Sequence, residues 1–212
     1  MTRWEGRAGP PTAPTTQKEQ IMTQRFAFHV VTDKPMHVGQ QIVFDEVNRS
    51  GVWRRVQERA PEVARIYADA ASDRPVEFDH HLAVAFRELA MEDVRAEEFP
   101  DYPSRRSSLY VSGTLADAEG WCSLFVDWGR PTYQIVRLTI DGRWFSGDAR
   151  NCFVGTADRA TNLDLARRYW SNAEKAGDGQ PILETLVDGR IEVVEIIRTV
   201  NANLSPSASE EQ

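Results

Sequence analysis

The sequence predicts an α+β protein, with helices in the first half of the chain and antiparallel strands in the second. Helical periodicity dominates residues 44–98, whereas the later part holds short runs rich in β-branched residues. Two Asp-Gly dipeptides, Asp141-Gly142 and Asp188-Gly189, separate such runs, and this pair is a typical signal of a two-residue β-hairpin. A parallel doubly wound sheet would alternate strands and helices along the whole chain, so the pattern favours antiparallel strands.

The first strand is predicted over residues 26–31. The run is short, apolar and alternating, and successive side chains of a strand point to opposite faces. Phe28 and its alternating neighbours share one face, and His29 lies on the other. The loop that follows contains Pro35 and Gly39, which break the strand pattern.

Two helical segments follow, over residues 44–71 and 78–98. Pro61 is expected to end one helix and begin the next, because proline fits the first turn of a helix but not its interior. His80 and His81 are adjacent, so they project about 100° apart on a helix and cannot chelate one metal ion together. We expect an exposed histidine pair.

The second strand is predicted around Tyr110. By alternation, Leu109 and Val111 face the core, whereas Tyr110 and its serine neighbours Ser108 and Ser112 face away from it. This strand and the first therefore each carry a polar aromatic side chain on a defined face. His29 and Tyr110 could line one cleft, which makes them the best functional indication in the chain.

A helix begins at Thr114, which has the form of an N-terminal cap, and its spacing places Trp121 and Cys122 in the core. The elements after it are a strand over 132–140, a hairpin into 143–145, an irregular loop over 146–151, a helix over 162–173, and a final hairpin of 182–187 with 190–200. In the last strand, Val194 and Ile196 are expected near the centre of the sheet.

The chain of 212 residues is long enough for one substantial core, so we predict a single domain over residues 25–204. The flanking segments 1–24 and 205–212 have no hydrophobic period, and we predict a disordered leader and a disordered acidic tail. The sequence has no signal-peptide region and no stretch of about 18 apolar residues. We expect a cytoplasmic protein that does not enter a membrane.

Charge and cysteine content restrict the function classes further. The net charge of −7 argues against a broad nucleic-acid surface, and the pairs Arg105-Arg106 and Arg167-Arg168 are expected to be solvated. Cys122 and Cys152 have neither metal-ligand spacing nor the density of a disulfide framework, so both are expected to be reduced and structural. Fingerprints for dinucleotide-binding Rossmann folds, phosphate-binding loops and zinc sites are missing from the sequence, and no metal is expected.

The order of these motifs resembles the ADP-ribosyltransferase superfamily, most closely the compact rifampin ADP-ribosyltransferases, which use a His, Tyr, Asp trio. The matching stretches are Phe28-His29, the strand around Tyr110 with Trp121 after it, and the path from Tyr133 to Gly147-Asp148. The resemblance covers most of residues 26–200. The chain is also similar to an uncharacterised bacterial family of unknown function.

The resemblance implies an antiparallel split sheet of ADP-ribosyltransferase type with an N-terminal helical insertion, and NAD as the substrate. It implies NAD-dependent ADP-ribosyl transfer, or NAD glycohydrolysis, to an acceptor that is a small molecule, a protein or a nucleic acid. It assigns catalysis to His29, Tyr110 and Asp148. The residues that it implies for NAD binding are His29, Thr32, Tyr110, Ser112 and Arg106.

The chemistry explains these residue types. Cleavage of the bond between ribose and nicotinamide leaves an oxocarbenium-like sugar, which a nearby carboxylate stabilises. An aromatic ring such as that of Tyr110 holds the cationic nicotinamide by stacking. A neutral imidazole such as that of His29 hydrogen-bonds ribose hydroxyls. Guanidinium groups, here Arg105 and Arg106, match the oxygens of a pyrophosphate.

Several alternatives remain open from the sequence. Glu195 and Glu192 of the final strand are alternative acids, because a carboxylate that interrupts an apolar face needs solvent, a partner or a ligand. Structural roles for His29, Tyr110 and Asp148 as a core histidine, a packing aromatic and a loop cap compete with the catalytic roles. Family members commonly have Gly after the histidine, where this chain has Val30. A catalytically inactive module that binds a nucleotide or partner, and an enzyme of RNA-end 2′-phosphate transfer, are the alternative functions.

Overall fold

The computed structural model describes residues 25–44, 48–69, 79–172 and 181–200. The predicted leader (1–24) and tail (205–212) lie outside these ranges. The described chain is α+β, with seven strands and four α-helices, and every strand pairing in it is antiparallel. The predicted fold class is confirmed at this level.

The strands form two sheets. The four-stranded sheet has the order β1 (Arg25–Val31), β4 (Gln134–Asp141), β7 (Arg190–Thr199) and β2 (Gln41–Ile42). The three-stranded sheet has the order β3 (Leu109–Val111), β6 (Leu183–Val187) and β5 (Trp144–Asp148). One isolated bridge, Phe28 with Ser112, links β1 to the end of β3 and so connects the two sheets.

Four helices surround the sheets: α1 (Gly51–Ala68), α2 (His80–Glu98), α3 (Leu115–Asp127) and α4 (Arg159–Trp170). Apolar residues of β1, β4 and β7 meet Val111 and Val187 to form the core between the sheets. Helices α2 and α4 pack on the other face of the three-stranded sheet. Helix α3 covers the other face of β1 and β4, where Ala118 and Cys122 are buried.

The two Asp-Gly dipeptides do not form the predicted hairpins. Each lies where the chain passes from one sheet to the other, because β4 and β7 belong to one sheet and β5 and β6 to the other. A Cβ on Gly142 would lie 1.9 Å from the carbonyl oxygen of Asp188, and Gly189 has a φ of +87°. The signal therefore marks two tight corners that pack against each other, since a turn sequence fixes a local bend and not the pairing of the strands.

Two further predictions about the elements are wrong. Pro61 lies inside α1, on its exposed side, while Val63 and Ile66 pack against α2 and Val56 is buried before the proline. Ile196 is 39% exposed, whereas Ile191 and Val193 are fully buried. The register of β7 against β4 shifts twice, so simple alternation does not hold along the strand, and the buried residues of β7 end at Val193.

The cap, histidine and cysteine predictions agree with the structure. The Thr114 side chain accepts a hydrogen bond from the backbone N–H of Asp117 at 3.1 Å. His80 and His81 are both exposed. Both cysteines are free thiols. Within the described ranges, no helix is both long and apolar enough to cross a membrane.

Candidate functional site

A cleft of about 900 Å³ opens where β1, β3, α1 and the end of α3 meet. His29, Thr32, Tyr110 and Ser112 line it, which places four of the residues predicted for NAD binding in one cavity. The other lining residues include a group of arginines, an aromatic wall and two carboxylates of a buried ion-pair network. The two strands that the sequence pattern singled out thus both line this cleft.

His29 lies on β1, which pairs with β4 along one edge and bridges to the end of β3 along the other. It lies opposite Val136 of β4, and the neighbouring Phe28 exchanges backbone hydrogen bonds with Ser112 at 2.9 and 2.8 Å. This bridge brings the end of β3 against β1. The imidazole Nδ1 then lies 2.8 Å from the backbone carbonyl oxygen of Tyr110, 81 residues further along the chain.

The hydrogen bond fixes the tautomer of His29. A carbonyl oxygen only accepts, so Nδ1 carries the hydrogen and Nε2 keeps its lone pair. Burial lowers the pKa of His29 to about 4, the bond to Tyr110 opposes this, and the charge of Arg130 adds to it. The imidazole is therefore neutral at pH 7 and can accept a hydrogen bond from a ligand hydroxyl at Nε2.

Tyr110 is half-buried, and its ring lies 5.3 Å from the guanidinium carbon of Arg105. Its hydroxyl has no hydrogen-bond partner among the described residues. The prediction that Ser108, Tyr110 and Ser112 face away from the core needs a correction. Ser108 and Ser112 are buried, and Tyr110 packs partly against the cluster under α2 and α4, because helices cover this face of β3 as well.

A buried ion-pair network forms the floor of the cleft. Arg105, which is 5% exposed, donates to Glu88 at 3.0 Å, to Glu184 at 2.7 Å and to the hydroxyl of Tyr169 at 2.6 Å. Burial would raise the pKa of Glu88, but Arg105 and Arg87 outweigh it and hold the pKa below its usual range. Arg105 is therefore an interior residue, contrary to the expected solvated pair with Arg106.

Glu184 presents one carboxylate oxygen to the cleft. Its Oε1 accepts hydrogen bonds from Arg105 and from the Tyr169 hydroxyl, both at 2.7 Å. Its Oε2 has no donor among the described residues, and the residue lines the cavity. One oxygen thus fixes the carboxylate, while the other is available to a ligand.

Arginines without carboxylate partners line the mouth of the cleft. Arg54 and Arg55 lie in the first turns of α1, and Arg130 lies just after α3. Within the part of the chain that the structure describes, none of the three forms an ion pair. Burial lowers the pKa of Arg130, and repulsion by Arg55 lowers it further. The cleft therefore holds three arginines without ion pairs in an acidic chain, beside the carboxylates of Asp33 and Glu58 in the same lining.

Aromatic rings form a second wall of the cleft. Phe28 of β1 and Trp121 and Phe125 of α3 line it, and the centroids of the two α3 rings lie 5.7 Å apart. Trp121 is half-buried and donates through Nε1 to the carbonyl of Leu183 at 3.0 Å. It is a cleft residue and not the core residue that helical spacing predicted.

Asp148 lies outside the cleft. It caps a 3₁₀ turn at Ala149–Asn151 and accepts hydrogen bonds from the side chain and backbone N–H of Arg150 and from the backbone N–H of Ile182. Its hydrogen bond with the side chain of Arg150 is the main reason that the pKa of Asp148 is lowered. These contacts match the loop-cap alternative.

Arg106 and the two alternative acids also lie away from the cavity. Arg106 places its guanidinium over the Trp53 ring at 4.7 Å and is 3.6 Å from Glu92. Glu192 accepts from Gln41 at 2.8 Å, and Glu195 pairs with Arg137 at 3.5 Å. None of the three is among the residues that line the cleft.

Glu184 is the important residue that the sequence analysis missed. The available signal was a single carboxylate within the short strand that runs from Leu183 to Val187, whose other residues are apolar except Thr185. Its partners come from distant positions, since Arg105 is 79 residues away, so no local pattern identifies its role. No group of three or more potential metal ligands occurs in the described ranges.

Comparison with known families gives one match. The sequence profile of a family described as "Protein of unknown function (DUF2441)" matches residues 27–199. No curated protein matches the chain. The family match confirms the part of the sequence-based resemblance that pointed to an uncharacterised family.

Proposed function

The chain belongs to the DUF2441 family of proteins of unknown function, and we propose that it binds NAD in the cleft and either transfers ADP-ribose from it or hydrolyses it. One observation carries this proposal. A neutral histidine, an aromatic ring and a carboxylate with one free oxygen, from three separate strands, line the same cavity.

Each part of the dinucleotide has a matching surface. The ring of Tyr110 stacks on the nicotinamide, and Nε2 of His29 accepts from a ribose hydroxyl. The unpaired guanidinium groups at the mouth, Arg55 and Arg130 foremost, bind the pyrophosphate, because guanidinium pairs with phosphate oxygens bidentately. The aromatic wall holds the adenine ring by stacking.

Glu184 supplies the carboxylate in place of Asp148. When the bond between C1′ of the ribose and the nicotinamide nitrogen breaks, the electron pair leaves with the nicotinamide and positive charge develops at C1′. Oε2 of Glu184 stabilises that charge more than it stabilises the bound substrate. Water or an acceptor group then bonds to C1′ and releases a proton, which completes hydrolysis or transfer.

Labelled NAD tests this function and the choice of acid together. The purified full chain is incubated with NAD labelled in the ADP-ribose part, and free nicotinamide and labelled acceptors are measured. Glu184→Gln should lower turnover by roughly 100-fold or more and leave the dissociation constant of NAD nearly unchanged, since the charge acts chiefly in the transition state.

Asp148→Asn is the matched control, because it makes the same carboxylate-to-amide change outside the cleft. We expect it to keep near wild-type turnover. A large loss with Asp148→Asn and none with Glu184→Gln would restore the original assignment. Failure of the wild type to bind NAD at millimolar concentration would reject the function.

A catalytically inactive NAD-binding module is the second candidate, and the ion pair of Glu184 with Arg105 favours it. A carboxylate already paired with a guanidinium offers less charge to an oxocarbenium ion. Binding of NAD without release of nicotinamide would support this candidate.

RNA-end 2′-phosphate transfer gains support from the arginines of the cleft. The acidic composition argued against a broad basic surface, yet six arginines line the cavity (Arg49, Arg54, Arg55, Arg87, Arg105 and Arg130). An RNA that ends in an internal 2′-phosphate, incubated with NAD, tests this third candidate by loss of the phosphate.

A further inference from the structure

Glu184 pairs with Arg105 through only one of its two carboxylate oxygens. Nη1 of Arg105 lies 2.7 Å from Oε1 of Glu184, and Oε2 has no donor among the described residues. Arginine and carboxylate groups frequently pair through two parallel hydrogen bonds, which would occupy both oxygens. The cause of the one-oxygen pairing therefore matters, because it decides whether Glu184 can face a ligand.

Every N–H hydrogen of Arg105 faces an acceptor in the described structure. Nε donates to Glu88 at 3.0 Å, and Nη2 faces the same carboxylate at 3.4 Å and Sγ of Cys152 at 3.9 Å. Nη1 donates one hydrogen to Glu184 and the other to the hydroxyl of Tyr169, which lies 2.6 Å away. The Tyr169 hydroxyl thus occupies the Nη1 hydrogen that Glu184 does not use.

Tyr169 is fixed behind the cleft. It lies on α4, is 0% exposed, and packs its ring against Phe145 and Trp170, with centroid distances of 5.4 and 4.9 Å. It is not among the residues that line the cavity. Burial raises the pKa of Tyr169, so the hydroxyl keeps its hydrogen at neutral pH and donates it to Oε1 of Glu184 at 2.7 Å. The hydroxyl therefore contacts both members of the ion pair but does not face the ligand.

We propose that Tyr169 is a positioning residue that keeps Oε2 of Glu184 free by holding Arg105 to the other oxygen. This inference rests on the proposed function, in which Oε2 stabilises the positive charge that develops at C1′ of the ribose. Without the hydroxyl, the released hydrogen of Nη1 lies beside the same carboxylate and pairs with Oε2. The carboxylate stays ionised, but less of its charge then acts on the transition state.

The test is Tyr169→Phe, which removes the hydroxyl and keeps the packed ring. At saturating NAD, we expect the full-length variant to release nicotinamide about 10-fold more slowly than the wild type, as for one hydrogen bond to a charged group. The dissociation constant of NAD should be nearly unchanged, because the charge acts chiefly in the transition state. A purely structural role would lower the melting temperature and leave the turnover of the folded protein unchanged.

Tyr67→Phe is the matched control, because it makes the same change outside the cavity lining. The Tyr67 hydroxyl accepts a hydrogen bond from Nδ2 of Asn162 at 2.8 Å, and its ring centroid lies 5.1 Å from that of Phe86. Both tyrosine variants should lose some thermal stability, since each loses a hydrogen bond. Only Tyr169→Phe should lose turnover.

The double variant with Glu184→Gln tests whether Tyr169 acts through Glu184. On that background, Tyr169→Phe should cause no further loss of turnover, because the carboxylate that it positions is already gone. A further loss of the same size would show that Tyr169 acts independently of Glu184 and would overturn the inference.

A crystal structure of Tyr169→Phe gives a readout that does not depend on activity. We expect nitrogens of Arg105 within hydrogen-bond distance of both oxygens of Glu184. If Oε2 gains no donor, or if Tyr169→Phe keeps full turnover while the wild type is active, the inference is overturned and the proposed function stands. If the wild type releases no nicotinamide from NAD, the proposed function itself is rejected, and the catalytic role of Tyr169 with it.

Discussion

Replacement of Arg105 by methionine should destabilise the protein by about 3 to 5 kcal/mol. The guanidinium is 5% exposed and bonds to two carboxylates and a phenol, with donor–acceptor distances of 2.6 to 3.0 Å. Methionine fills much of the volume but leaves Glu184 without a cationic partner and Glu88 with Arg87 alone, in the interior. The expected loss of stability comes from burying carboxylates without Arg105, and not from a net stabilisation by the ion pair itself.

The assay is urea unfolding at pH 7, with Arg167→Met as the control. Arg167 also contacts two carboxylates, Glu98 at 2.7 Å and Asp164 at 2.9 Å, but its side chain is 46% exposed. Exposed ion pairs contribute little, so this control should lose less than about 1 kcal/mol. The two variants remove the same kind of contact and differ in burial.

The difference in free energy of unfolding between the wild type and Arg105→Met should become smaller as the pH falls from 7 to 4. In the wild type the pKa of Glu88 is held below its usual value, so its contribution to stability is present at neutral pH and is lost on acidification. In the variant only Arg87 opposes the effect of burial, so the pKa of Glu88 lies above its wild-type value and the carboxylate becomes neutral, and less costly to bury, as the pH falls. A difference in free energy of unfolding below about 1 kcal/mol at pH 7, or a difference that increases on acidification, would refute the description of the cleft floor as a buried charge network.

Two other predictions concern β7 and His29. In urea unfolding, Ile191→Ala should lower the free energy of unfolding by about 2 to 5 kcal/mol and Ile196→Ala by less than about 1 kcal/mol. The reason is that Ile191 is fully buried whereas Ile196 is 39% exposed. Similar losses in the two variants would contradict this difference in burial along β7. The pKa of His29, lowered to about 4, lies below that of the unfolded chain, so its stabilising contribution is complete above about pH 6.5 and is lost as the pH falls. Between pH 7 and 5 the wild type should lose about 1 to 2 kcal/mol more stability than His29→Asn, which keeps a donor for the Tyr110 carbonyl; parallel pH profiles would contradict a buried neutral imidazole.

The positions of helices and strands were predicted better from the sequence than the pairing of the strands. Alternation and caps located the strands of His29 and Tyr110 and the helix that begins after Thr114, because these signals are local. The pairing of strands depends on distant parts of the chain. The Asp-Gly dipeptides specified tight turns correctly, but only the whole sheet arrangement decides that each turn connects two sheets.

The candidate site was predictable in part for the same reason. His29 and Tyr110 interrupt apolar strands with polar rings, and this local feature identified them. The acid was taken from the order of motifs as Asp148, in a polar loop where a capping role satisfies the carboxylate. Glu184 acquires its environment from Arg105 and Tyr169, and neither is near it in the sequence. A single sequence does not contain that information in any local window.

The cleft lies where the two sheets separate, next to the backbone bridge between Phe28 of β1 and Ser112 at the end of β3. In the described structure β1 and β3 share the backbone bridge of Phe28 with Ser112 and the hydrogen bond of His29 to the Tyr110 carbonyl. Next to these contacts the Arg105 network forms part of the lining of the cleft, together with apolar side chains. An apolar filling would be at least as stable, since buried ion pairs often contribute no net stability. The network instead leaves a polar floor in which Glu184 lines the cleft and is fixed by Arg105 and Tyr169 through one carboxylate oxygen.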